Sequence, residues 1–192
     1  MSSIINTAES LSLEQKTSIA QTKSQSGRRV AQKRGPTLYN LEVEVGTRRL
    51  NDTVHRAIED EIIDLGYGAE TFNSANVVGS LPASITGVRG DWTGGVISSL
   101  SGTQVVFSSL IGTPEKQDFF QTGGSTKVYQ VADYDDLTKT ITLNSAIIGT
   151  AIDFVVGSSV NFNFALIERP RINYLPGDLV QYGTFVFEEV IE

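Results

Sequence analysis

The chain has 192 residues, 40% of them hydrophobic, and a formal net charge of −7. This length fits one domain of ordinary size and makes a second full core unexpected. With no cysteine and a single histidine, disulfides, thiolate metal sites, cysteine nucleophiles and His-based metal cages are excluded, leaving only a carboxylate cation site open. No run approaches the roughly 18 uninterrupted apolar residues of a membrane span. The first residues have neither the basic start nor the apolar centre of a secretory signal. The expectation is a soluble protein made in the cytoplasm, with no membrane partner. Abundant Gly, Ser and Thr and sparse charge favour a turn-rich β protein.

Charge is unevenly placed. Residues 1–56 carry nine Lys and Arg against five Asp and Glu, and residues 57–192 carry six against seventeen. Two readings stay open: a chain positive at one end and negative at the other that pairs head to tail with its copies, or ordinary surface variation.

Residues 1–26 are polar without a sustained period and are expected to form an extended N-terminal arm, with Ser18 to Gln25 able to pair as an edge strand. Residues 27–192 are expected to form a single β-rich domain. Arg28, Arg29, Lys33 and Arg34 lie between Gly27 and Gly35-Pro36. No phosphate-cradling loop pattern accompanies them, and the absence of interleaved aromatics in an acidic chain argues against dedicated DNA binding. A basic strand at a subunit contact is the economical reading. Alternation predicts a strand from Thr37 to Val45.

One helix is expected over about residues 51–65. Leu50, Val54, Ala57, Ile58, Ile62 and Leu65 share a stripe. Asn51 or Asp52 suits the N-cap and Gly66 the stop. Glu59, Asp60, Glu61 and Asp64 crowd the C-terminal turns, where the macrodipole disfavours anions, so this helix needs tertiary packing. Glycines then punctuate residues 79–104, read as a long irregular insertion. Strands are expected at 103–108, 126–132, 139–143, 159–167 and 183–191, with a hairpin turn at Asp133-Tyr134-Asp135-Asp136. The fold class is therefore mainly β, a β-sandwich or barrel with one packed α-helix.

No residue is assigned a catalytic, cofactor-binding or metal-ligating role. His55 reads as a surface or packing residue, with no nucleophile arranged around it. Asp133, Asp135 and Asp136 lack the glycine and distal Glu of an EF-hand loop and read as a solvated turn. Glu188 and Glu189 are adjacent on a strand, so they face opposite ways and share no site. Trp92, in the Gly-rich segment, either packs in the core or stacks on a sugar.

From Ser26-Gly27-Arg28-Arg29 onward the chain resembles the tail and baseplate structural proteins of contractile-tailed bacteriophages, including cyanophage types. The shared pattern continues through the strand Leu38–Val45, the helix from Leu50, Gly66 leading to Thr71-Phe72, then Gln117 to Gln121, Lys127 to Val131, Thr140 to Leu143 and the closing Phe185 to Val190. Val45-Gly46-Thr47-Arg48 departs from it by lacking a proline before the helix. The resemblance implies a non-enzymatic virion subunit located in the tail. Its expected assembly is a homo-oligomeric ring, a hexamer among the possible closures, that joins the tail tube to baseplate or connector proteins. DNA would then pass the lumen without specific binding. A glycan- or receptor-binding β module of the virion is the alternative.

Overall fold

The computed structural model describes residues 2–16, 19–23, 29–33, 37–65, 77–79, 81–168 and 170–191. In chain order the elements are α1 (Ser3–Asn6), β1 (Ser10–Lys16), β2 (Ile19–Lys23), β3 (Arg29–Lys33), β4 (Leu38–Glu44), β5 (Arg48–Arg49), α2 (Thr53–Asp64) and β6 (Val77–Gly79). There follow α3 (Ala83–Thr86), β7 (Gly94–Ser101), β8 (Gln104–Ile111), β9 (Phe119–Thr122), β10 (Tyr129–Asp135), β11 (Thr140–Leu143) and β12 (Phe154–Val156). The series closes with β13 (Phe162–Glu168), β14 (Ile172–Leu175), β15 (Leu179–Tyr182) and β16 (Phe185–Glu189). The protein is mainly β, as its composition and alternation require.

A five-stranded antiparallel sheet of order β1-β4-β16-β13-β6 forms the first layer. Its strands alternate, so one face collects Tyr39, Leu41 and Val43, Phe162 and Phe164, and Phe185 and Phe187, all buried. Ile58 and Ile62 of α2, Ile4 of α1 and Val180 of β15 complete this core. Each such side chain contributes roughly 1.5–3 kcal/mol on full burial. The helix starts where the sequence indicates: Asp52 accepts the Val54 N–H at 3.0 Å as N-cap. Gly66, expected to stop it, lies outside the described residues.

A second sheet of order β12-β9-β10-β11-β8-β7 curls until β12 approaches β7, a nearly closed barrel. It encloses a separate core of Trp92, Ile97, Val105, Phe107, Phe120, Tyr129, Val131, Ile141 and Leu143. Trp92 stacks on Phe120 and meets Phe107 edge-on, with ring centroids 6.1 Å apart in both cases. The chain enters this barrel after β6 and leaves it before β13, and those two strands pair with each other, Gly79 opposite Phe162. The barrel is thus inserted between neighbouring strands of the first sheet.

Three expectations change. A second core exists, because 94–156 closes on itself around aromatics that the sequence scatters too widely to show as one cluster. The Gly-rich stretch 79–104 is not irregular throughout: it contains α3 and all but the partner of the β7–β8 hairpin, whose turn is at Gly102 with φ +58°. The extended arm expected over 1–26 contains β2 within the stretch Ser18 to Gln25 read as an edge strand, and also β1 and α1, which were not expected. Leu11 and Leu13 of β1 pack toward the first core while Ser10, Ser12 and Glu14 stay exposed, and Ile4 is fully buried. That is an edge strand, whose weak alternation reads as polar sequence.

Because Trp92 is the sole tryptophan and is fully buried, its emission is expected to be blue-shifted and nearly insensitive to acrylamide. Trp92→Ala should cost about 3–5 kcal/mol in urea denaturation. A solvent-quenched, red-shifted emission from the native protein contradicts this core.

Candidate functional site

Where the two cores meet, β9 and the segment before β10 serve both. Phe119 belongs to the first core and Phe120 to the second, and Val128 and Tyr129 divide in the same way. At this seam Lys127 Nζ lies 2.6 Å from Glu189 Oε2, with both side chains fully buried. The carboxylate also accepts the backbone N–H groups of Val128 at 2.9 Å and Tyr39 at 3.2 Å. The ammonium stands 5.0 Å from the Tyr39 ring centroid and 5.8 Å from that of Tyr129, within cation–π range. Asn144 extends the network by donating to the Tyr39 hydroxyl at 3.2 Å and accepting the Gln130 N–H at 3.1 Å.

Burial pushes the Glu189 carboxyl above its ordinary value, while Lys127 and the two N–H donors pull it back. A raised folded-state value means the folded protein holds that proton more tightly than the unfolded chain. This group's contribution therefore falls as pH rises from the ordinary Glu range through the raised value. Burial likewise pushes the Tyr39 hydroxyl up, so it stays protonated. This cluster ties strands together, and its ion pair is closed to solvent.

A second buried polar group joins α2 to the third sheet, β14-β15-β5. His55 is 3% exposed; its Nδ1 makes a short contact with the Tyr182 hydroxyl, and its Nε2 is 3.4 Å from Glu59. Burial raises the Tyr182 hydroxyl. His55 is thus a packing residue, as the sequence indicates, but buried rather than at the surface. The stripe reading placed it just off the apolar face, and Tyr182 supplies the polar partner that makes its burial tolerable.

The carboxylates fall as alternation requires. Glu188 faces outward and pairs with Lys16 at 2.9 Å, whereas Glu189 faces the core. Asp133 and Asp135 belong to β10, and the hairpin turn comes three residues later than expected, at 136–139. Asp133 pairs with Lys116 at 3.1 Å. Asp135 accepts from the Thr138 hydroxyl at 2.8 Å and the Leu137 N–H at 3.0 Å, which lowers its carboxyl. Among the described residues no group of three or more acidic or histidine side chains is placed to hold a metal ion. Trp92 is core, so it offers no indole to a sugar. An open depression of about 300 Å³ is lined by Thr122, Gly124, Ser125 and Asp153. Its buried neighbour Gln121 is already committed to the Asn161 backbone, donating and accepting at 2.8 Å.

Of the expected assembly residues, Arg28 and Arg34 lie outside the described residues, while Arg29 and Lys33 bound β3. This strand pairs only with β2, as a two-stranded ribbon with Lys23 opposite Arg29 and Ile19 opposite Lys33. The ribbon is a sheet separate from the one that holds β1 and β4. Pairing ends at Lys16 and Leu38 and resumes at Ile19 and Lys33. Among the described residues no third strand joins it. No family model matches the chain, and no curated protein matches it. No helix among the described residues is long and apolar enough to cross a membrane.

The buried pair gives a sharp expectation. Lys127→Met and Glu189→Gln each leave an uncompensated buried group and should each cost about 3–5 kcal/mol at neutral pH. The double variant should lose less than the sum of the two, since the groups are coupled. Urea denaturation of the four proteins measures this, and strict additivity contradicts the pairing.

Proposed function

We propose that this chain is a non-enzymatic structural subunit that assembles with copies of itself and with partner proteins through the β2–β3 ribbon. The setting suggested by the resemblance is a phage tail or baseplate, where such subunits form a ring joining the tail tube to baseplate or connector proteins. The observation that carries the assembly reading is a ribbon with two open edges and no covering strand among the described residues. A two-stranded hairpin is at best marginally stable alone in water, and open edges are templates for pairing. A ribbon of this kind gains order when a neighbour accepts it. The buried polar groups favour the same reading, since Lys127, Glu189, His55 and Tyr182 are paired inside the protein rather than aimed at a cleft.

Reversing Arg28, Arg29, Lys33 and Arg34 to Glu is expected to abolish self- and co-assembly while leaving the circular dichroism spectrum unchanged. Like-charge juxtaposition at a contact costs several kcal/mol. Light scattering, alone and with tail-tube and baseplate proteins, reads the assembly. A wild-type protein that stays monomeric with every such partner overturns the proposal.

A further inference from the structure

The first sheet has a second face, opposite its Phe-rich core, and that face is acidic. Alternation places Ser10, Ser12, Glu14 and Lys16 of β1 on it, with Leu38, Asn40, Glu42 and Glu44 of β4 and Val186 and Glu188 of β16, four glutamates against one lysine. The register makes these positions neighbours: Ser12 stands opposite Glu42, Glu14 opposite Asn40, and Asn40 opposite Glu188. Glu14, Glu42 and Glu44 are exposed. The one cation on this part of the face, Lys16, is engaged with Glu188. Among the described residues Glu14, Glu42 and Glu44 have no ion-pair partner. No two of these glutamates stand directly opposite each other, but together they give this part of the face a net negative charge that a basic surface complements.

The ribbon has the opposite character. From residue 15 to residue 41 the sequence contains no Asp or Glu, and of its basic residues Lys23, Arg29 and Lys33 lie on β2 and β3 themselves. The fold therefore sorts charge more finely than a division of the chain into halves, because Glu42 and Glu44 follow directly on the most basic stretch. Five residue pairs give the ribbon a length of about 17 Å, and three strands at normal spacing are about 10 Å across, so one ribbon spans β1, β4 and β16.

We propose that the β2–β3 ribbon of one copy docks across the acidic outer face of β1, β4 and β16 of a second copy. This rests on the assembly reading above and names the receiving surface. The contact joins two different patches and is heterologous. It therefore propagates from copy to copy, closing into a ring if the rotation allows and running on as a filament if it does not.

The test compares the wild type with two charge-reversed variants. The ribbon variant is Lys23→Glu, Arg29→Glu and Lys33→Glu; the face variant is Glu14→Lys, Glu42→Lys and Glu44→Lys. Sedimentation velocity reads association at low and high salt, and circular dichroism confirms that each variant folds. The expected result is that each variant alone associates at least about tenfold more weakly than wild type, and that an equimolar mixture of the two recovers association, because the reversed patches complement each other. If the wild type associates and the face variant associates equally well, the docking surface is elsewhere: this inference falls and the assembly reading stands. If the wild type is monomeric alone but binds a tail-tube or baseplate protein through the ribbon, the second copy is not the occupant and the inference also falls. A wild type that is monomeric with itself and with those partners overturns both.

Discussion

The two cores are held to each other through one buried ion pair, and much of the fold is organised around its satisfaction. Taking an ammonium and a carboxylate out of water costs several kcal/mol per ion, which mutual attraction offsets only when the remaining hydrogen-bonding capacity is filled. Here Glu189 receives two backbone N–H groups besides Lys127, and Lys127 lies beside two aromatic rings. Those N–H groups come from β4 and from the approach to β10, so the carboxylate requires both sheets to be in place at once. Well-packed apolar residues would serve stability as well. A buried pair adds selectivity, because any other way of setting the barrel against the sheet strands a charge.

Charge on the outside follows another logic. An edge or ribbon left open is a hazard unless something controls what it pairs with. In the proposed contact, Lys and Arg on β2–β3 would keep identical ribbons apart by repulsion, while the acidic sheet face would attract them. Repulsion between like elements and attraction between unlike ones together give a contact its direction. The same basic run that argues weakly for nucleic acid when read alone has a complement of opposite charge within the same fold, Glu42 and Glu44 on the strand that follows it.

Much of the first sheet and the helix was legible in the sequence because their residues follow simple periods. Leu38 to Val45, Phe162 to Ile167 and Phe185 to Glu189 alternate, and the Val54, Ile58, Ile62 stripe repeats at helical spacing. The barrel was harder to read. Its β7 has register shifts between Val96 and Ile97 and between Ile97 and Ser99, which break the period of two, and its glycines resemble a loop when the pairing partner is unknown. β1 was hidden for a different reason, since an edge strand needs only Leu11 and Leu13 on its inner face. Glu189 carried a usable signal: it continues the Phe185 and Phe187 parity, so a charge was due on the buried face. Lys127 shares the parity of Tyr129 and Val131 in the strand expected at 126–132, a weaker signal because β10 itself begins only at Tyr129.

The insertion of the barrel between β6 and β13 also sets the order in which this protein becomes itself. The barrel is made largely of hairpins, such as β7 with β8 and β10 with β11, whose partners are close in the chain. Contacts of that kind form fast, whereas non-local pairing waits on loop closure. The contact of Tyr39 with Glu189 joins residues 150 apart, and β16 pairs directly with β4. During synthesis the barrel has every strand it needs while the first sheet still lacks β13 and β16. A nascent chain thus displays its ribbon long before the neighbouring sheet is complete, and translation itself sets the interval between the two.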